Sequence, residues 1–91
     1  MLFKKELVAV IWTSLNVDAK GQPKTFALSQ LKDASEILAQ IKEKCVAEDD
    51  KFKDGELDFN TDQKKLIRDC CDREWSATVG LDVISVREML A

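Results

Sequence analysis

Residues Asp50 to Thr61 read Asp-Lys-Phe-Lys-Asp-Gly-Glu-Leu-Asp-Phe-Asn-Thr. This stretch combines several acidic residues with a central glycine. On both sides of it, apolar residues recur at intervals of three and four, which is the spacing of amphipathic helices. An acidic, glycine-containing loop between two helices predicts an all-α fold whose loop offers oxygen atoms to a cation.

The order of residues in this stretch follows most of the pattern of a calcium-binding EF-hand loop. That pattern has oxygen ligands at positions one, three, five, seven and nine, glycine at six and a bidentate glutamate at twelve. The matching residues are Asp50, Asp54, Gly55 and Asp58 at positions one, five, six and nine, with the apolar Leu57 at position eight. Two ligand positions are lost, because Phe52 is third and Thr61 is twelfth.

The candidate metal ligands are the carboxylates of Asp50, Asp54 and Asp58 and the carbonyl oxygen of Glu56. Calcium needs six to eight oxygen atoms, and Thr61 removes the two that a glutamate would supply. This favours weak or absent calcium binding, so no cofactor is predicted. A calcium sensor that uses residues 50–61 stays as the alternative.

A second loop lies earlier in the chain, where Gly21 precedes Gly55 by 34 residues. This is close to the separation of the two loop glycines in a paired EF-hand unit. The first loop, residues 16–27, has lost most of its acids. In such pairs the residues at position eight form a short inter-loop β-bridge, predicted here between Pro23 and Leu57. We therefore predict one EF-hand-like domain over residues 1–91, with loops near 16–27 and 50–61 and an extra C-terminal helix.

The N-terminal segment is open to two interpretations. Residues 3–15 carry a single apolar stripe at helical spacing. Their β-branched residues also fit a strand, followed by a hairpin turn at residues 18–21 and a second strand at 24–28. The second interpretation would make the chain a small α+β protein, such as an inhibitor or an assembly factor.

Three further helices are predicted from periodicity and capping signals. Ser29 is a good N-cap for a pattern that continues to about Ala47, as one helix or two. Asn60 or Thr61 caps a helix to about Trp75, and Gln63 completes a capping box with Asn60. A last helix over about residues 79–90 is predicted to bury Leu81, Ile84, Leu90 and either Val86 or the stem of Arg87.

Composition excludes several classes of function. A net charge of -3 and a pI near 4.9 argue against nucleic acid as a partner. The chain has no histidine, the usual general base and transition-metal ligand, so we predict that it is not an enzyme.

Three cysteines (Cys45, Cys70, Cys71) make an odd number without metal or redox spacing. They predict buried thiols and a reduced, cytoplasmic setting. No apolar run is long enough to span a membrane, so no membrane contact is predicted.

The first third of the chain resembles the switch-associated protein (SWAP) family. The resemblance lies in Lys5-Glu6-Leu7, Ile11-Trp12 and, seventeen residues after the tryptophan, Ser29-Gln30-Leu31-Lys32, and it covers about residues 4–32. It implies an N-terminal EF-hand-like domain of a larger protein whose downstream phosphoinositide-binding and coiled-coil regions serve Rho-family GTPase signalling. Gly21 comes earlier in its loop than in the family. The resemblance transfers no catalytic residue, and it favours the helical interpretation of residues 3–15.

Together these features predict a non-catalytic interaction or regulatory module with degenerate calcium loops. Its partner would be another protein or an intramolecular helix, docked in an apolar groove in the helix-in-groove mode. The residues expected to line that groove are Ile11, Leu15, Ile41 and Leu66.

Overall fold

The computed structural model describes every residue from Met1 to Ala91. Four helices and two short strands follow in the order β1 (Leu2–Phe3), α1 (Lys5–Asn16), α2 (Leu28–Lys44), β2 (Gly55–Glu56), α3 (Thr61–Cys71) and α4 (Ala77–Met89). The strands pair antiparallel, with Leu2 opposite Glu56 and Phe3 opposite Gly55. The predicted mostly helical fold is confirmed. The structure also contains a small two-stranded sheet. An EF-hand-like pairing of the helices is not confirmed.

Helix α1 lies at the centre of the molecule and contacts α2, α3 and α4. Val8, Ile11 and Leu15 of α1 are buried in the single core that the buried apolar residues form. The helical interpretation of residues 3–15 is therefore confirmed from Lys5 onward, and the strand interpretation is wrong. Phe3 precedes the helix and belongs to β1.

Helix α2 is one continuous helix of 17 residues. It begins at Leu28 after the extended Ala27, and no side chain caps it, so the prediction of Ser29 as N-cap is wrong. Ala34, Ile37 and Ile41 face the core, whereas Leu28 and Leu31 of the first turn are exposed. The first turn of α2 therefore extends beyond the core.

Helices α1 and α2 both end in the same small hairpin. In the first, Val17 bridges Pro23, and the amide groups of Asp18 and Lys24 donate to the carbonyls of Gln22 and Asn16. The second repeats these bonds 29 residues further along: Val46 bridges Phe52, Ala47 donates to Lys51, and Lys53 donates to Cys45.

The two hairpins also share a residue with positive φ, 77° at Gly21 and 62° at Asp50. Only glycine, and less readily asparagine or aspartate, adopts this left-handed conformation routinely. The counterpart of Gly21 is therefore Asp50, and the repeat predicted from Gly21 and Gly55 has the wrong register.

The predicted bridge between Pro23 and Leu57 is also wrong. Pro23 pairs with Val17 inside its own hairpin. The amide of Leu57 donates to the carbonyl of Met1 at 2.9 Å, which extends the pairing of β1 with β2. The two loops cannot meet as predicted because the N-terminal strand occupies the edge of the second one.

Helix α3 begins as predicted. The side chain of Asn60 accepts from the amide of Gln63 at 2.8 Å, and the side chain of Gln63 accepts from the amide of Asn60 at 3.1 Å. The helix ends at Cys71, earlier than the predicted Trp75. Its last carbonyl groups are satisfied by side chains of the following turn, because Arg73 Nε donates to Cys70 and Trp75 Nε1 donates to Cys71.

Helix α4 turns a different side toward the core from the one predicted. Val83, Val86 and Leu90 are buried, whereas Leu81 and Ile84 are exposed. Apolar residues occur on both sides of this helix, so periodicity could not decide which side packs against α1. The prediction was right for Leu90 and, of its two alternatives, for Val86, whereas Arg87, Leu81 and Ile84 are exposed.

The first testable prediction concerns the position where β2 meets the end of α2. A Cβ atom on Gly55 would lie 2.6 Å from the Lys44 carbonyl oxygen and 2.7 Å from Cys45 Sγ. We expect Gly55→Ala to lower the free energy of unfolding by roughly 2 kcal/mol, since overpacking of this kind costs about 1–3 kcal/mol. Urea denaturation followed by circular dichroism measures the change.

Gly80→Ala is the matched control. Gly80 lies inside α4, and a Cβ there would meet nothing within 4 Å apart from its chain neighbours and the backbone of its own helix. Because glycine in a helix interior costs about 0.5–1 kcal/mol relative to alanine, this variant should be more stable than the native protein. Equal effects of the two substitutions would contradict the close approach at Gly55.

Candidate functional site

Asp54, a predicted metal ligand, holds the start of α1. Its Oδ1 accepts from the amide of Lys5 at 2.8 Å, and its Oδ2 lies 3.8 Å from Lys4 Nζ. Lys4 is the N-cap residue of α1 and provides no side-chain cap of its own. Asp54 therefore caps α1 from a distant part of the chain, where its negative charge also favours the positive end of the helix dipole.

Of the other three predicted ligands, Glu56 and Asp58 lie near the N-terminus, and Asp50 lies apart from them. Glu56 Oε2 and Asp58 Oδ1 lie 3.2 Å and 3.5 Å from the Met1 nitrogen. Asp50 belongs to the second hairpin and borders a cavity with Trp12 and Phe52. No group of three or more histidine, cysteine, aspartate or glutamate side chains is arranged to hold a metal ion.

The predicted calcium loop is divided among three local structures. Its first residues complete the second hairpin through the Val46–Phe52 bridge. Gly55 and Glu56 form β2, and Asn60 and Thr61 form the N-cap and first residue of α3. Gly55 has no positive φ, unlike Gly21. The structure does not bring the four candidate ligands together, and the calcium prediction itself stays a prediction.

The cap that Asp54 supplies leads to the second testable prediction. Asp54→Ala should lower the free energy of unfolding by about 1 kcal/mol, because it removes the acceptor for the Lys5 amide. Asp54→Asn keeps an acceptor oxygen and should cost less. Chemical denaturation gives both values, and amide exchange at Lys5 should accelerate in the alanine variant. If Asp54→Asn lowers the free energy of unfolding as much as Asp54→Ala does, the charge of Asp54 contributes more to stability than its hydrogen bond.

The residues predicted to line a partner groove lie in the core instead. Ile11 and Ile41 have no exposed surface, and Leu15 and Leu66 have almost none. They pack where α1, α2 and α3 meet, because α1 is surrounded by the other helices. This correction means that a partner would have to bind elsewhere on the surface.

The three cysteines are buried and unpaired, as the sequence predicts for buried thiols. Burial raises the pKa of Cys45, Cys70 and Cys71 above the ordinary value of 9.0. A hydrogen bond to Ser14 and the nearby charge of Arg73 act in the opposite direction on Cys71 and do not outweigh burial. The thiols are therefore protonated near neutral pH and are poor nucleophiles.

The raised thiol pKa values give the third testable prediction. The folded protein binds these protons more tightly than the unfolded chain, so their contribution to stability is complete below pH 9 and is lost as the pH rises above it. The free energy of unfolding should fall as the pH rises above 9 in reducing buffer. Cys71→Ala should show a smaller fall, and an identical fall would exclude this thiol as a cause.

Large exposed apolar side chains occur in three places: at the N-terminus, in the first turn of α2 and on α4. Those of α4 are Leu81 and Ile84. Leu81 is 77% exposed and Ile84 is 53% exposed. We call Ala77, Leu81, Ile84 and Glu88 the α4 outer face, because they recur at intervals of four, three and four on the side away from the core. Residues at these intervals lie along one face of a helix. Sequence analysis found Leu81 and Ile84 but assigned them to the interior.

A shallow depression adjoins the α4 outer face. It has a volume of about 590 Å³ and is lined by Arg68 of α3 and by Ile84, Arg87, Glu88 and Ala91. Arg68 donates a hydrogen bond to the carbonyl of Leu90, which fixes its side chain at the floor. Neither Arg68 nor Arg87 forms an ion pair. The depression therefore combines the apolar Ile84 with two arginines, one glutamate and the terminal Ala91.

Comparisons with known proteins found no relative of this chain. No family model matches the chain, and no curated protein or solved structure matches it either. None of the four helices has the length and apolar content that crossing a membrane requires. The resemblance to the switch-associated protein family thus stays a prediction, and the chain's function has to be argued from its own surface.

Proposed function

We propose that the protein is a non-catalytic interaction module that binds another protein through the α4 outer face. The observation that carries this proposal is the exposure of Leu81 and Ile84 on a helix whose opposite side is buried. A helix that packs against a core normally presents polar residues to water. Here two large apolar residues stand one turn apart on the solvent side, beside a depression.

The energetics of burial support this surface as a binding site. Complete burial of a leucine or isoleucine side chain is worth about 1.5–3 kcal/mol. Two such residues near the centre of an interface are sufficient anchors for a modest affinity, because a few residues supply most of the binding energy. Ile84 also lines the depression, so an incoming side chain could pack against it.

The proposed role does not depend on calcium. Asp54 already binds the start of α1, and the inward side of α4 packs against α1 through buried residues. Binding by the outer face of α4 needs no opening of the helices. An EF-hand relationship and a place in Rho-family GTPase signalling are predictions of the resemblance alone.

The fourth testable prediction uses selection from a displayed library of helical peptides. Peptides selected on the native protein should lose at least tenfold in affinity for a Leu81→Ser/Ile84→Ser variant, since both anchors are removed. A matched control is Leu28→Ser/Leu31→Ser, which changes two exposed leucines of α2 and should leave affinity unchanged. Fluorescence anisotropy gives the affinities, and circular dichroism checks that each variant is folded.

The proposal has a clear contrary outcome. Peptides that bind the native protein and the α4 variant equally well would place the interaction elsewhere on the surface. Failure of the library to yield any binder would also overturn the proposal. Loss of affinity in the α2 control alone would assign the interaction to the first turn of α2.

A further inference from the structure

A second cavity lies where α1, α2 and the second hairpin meet, and it shares no residue with the α4 outer face. We infer that this cavity binds a free α-amino acid with an apolar side chain, whose ammonium group pairs with Asp50 and whose carboxylate pairs with Lys42. The site is independent of the proposed function. Three features support it: the lining of the cavity, the two charges at its edge and the difference between the two hairpins.

The cavity has the size and the lining of a site for a small ligand. Its volume is about 390 Å³, and small-molecule sites are mostly apolar clefts of roughly 300–1,000 Å³ with a few polar groups. Three of its five lining residues are apolar, namely Trp12, Val46 and Phe52. The rings of Trp12 and Phe52 meet edge to face, with their centroids 5.9 Å apart. They form a wall against which an apolar side chain can pack.

The other two lining residues carry opposite charges that do not pair with each other. Lys42 Nζ lies 5.9 Å from the centroid of the Trp12 ring and forms no ion pair. The carboxylate of Asp50 forms none either. Lys42 would repel an organic cation, and Asp50 would repel an organic anion. A ligand that carries both charges, as an α-amino acid does at neutral pH, finds a partner for each.

The two hairpins show that the backbone does not require the side chains that line the cavity. Asp50 stands where the first hairpin has Gly21, and the backbone hydrogen bonds of the two hairpins correspond. Phe52 likewise occupies the bridge position of Pro23. Asp50 is the only non-glycine residue with positive φ, a conformation that glycine adopts at lower cost. Residues held against their backbone preference cluster at binding sites, and this one borders the cavity.

The fifth testable prediction compares three ligands that share a phenyl group. L-Phenylalanine carries both charges, phenethylamine only the ammonium group and hydrocinnamate only the carboxylate. L-Phenylalanine should bind at least threefold more tightly than either analogue, since an ion pair at a surface changes affinity by a few-fold. Nitrogen-15 correlation spectra of the full chain give the affinities from the movement of the Trp12 indole signal. The Trp75 indole, which donates to the Cys71 carbonyl, should not move and is the internal reference.

Two substitutions connect the preference to the site. Lys42→Gln should abolish the preference for L-phenylalanine over phenethylamine, because the partner of the carboxylate is lost. Asp50→Gly should abolish the preference over hydrocinnamate and should also raise the melting temperature, because glycine adopts the positive φ of this position readily. Weaker binding by a more stable protein separates a lost ligand contact from a damaged fold. Lys44→Gln, on the same helix as Lys42 but outside the cavity, should change neither preference.

The contrary results are equally distinct. Equal affinity for the three ligands would show an apolar cavity that does not recognise charge, and absence of binding up to the solubility limit of L-phenylalanine would show no amino-acid site. An unchanged preference in Lys42→Gln or in Asp50→Gly would exclude the pairing assigned to that residue and overturn the inference. Movement of the Trp12 signal on dilution of the protein alone would assign the cavity to a second copy and overturn it as well. None of these results bears on the α4 outer face, which the library selection tests separately.

Discussion

The close approach of Gly55 to the C-terminal end of α2 holds three parts of the fold in place. The backbone of β2 lies so near the Lys44 carbonyl and Cys45 that only glycine fits. This contact fixes β2, and β2 in turn pairs with β1 through Phe3 and Gly55. The residue before Gly55, Asp54, caps α1. One short segment therefore positions the central helix, the N-terminal strand and the end of α2 together.

The same acidic segment illustrates how far a local pattern can mislead. Carboxylates at alternating positions can bind a cation. They can equally accept hydrogen bonds from backbone amides at the start of a helix or pair with positive charges near a strand. Which use prevails depends on the residues that lie opposite, and these are distant in sequence: Lys5 opposite Asp54, and Met1 opposite Glu56. The spacing of Gly21 and Gly55 was misleading for the same reason, because hydrogen bonding relates Gly21 to Asp50. No window of a dozen residues contains that information.

The sequence alone predicted structure correctly where the interacting residues lie close together along the chain. The Asn60–Gln63 capping box and the start of α3 were predicted correctly, since both partners lie within one turn. The helical state of α1 was also predicted, although the β-branched residues near Val8 and Val10 left a strand as an alternative. Burial of α1 among three helices decided between the two states. The sequence could not place the groove residues correctly, because Ile11 and Leu15 look the same whether they line an open cleft or a closed core.

Helix α4 is the element in which local preference and packing disagree most. Its inner row, Val83, Val86 and Leu90, is sufficient to bury the helix against the core. Leu81 and Ile84 keep more than half of their surface exposed, and Gly80 weakens the helix without a close contact that requires glycine. Sequences that fold well tend to agree across levels, and local exceptions concentrate where a protein binds or reacts. Three exceptions within five residues therefore support the proposal that α4 carries the surface for a partner.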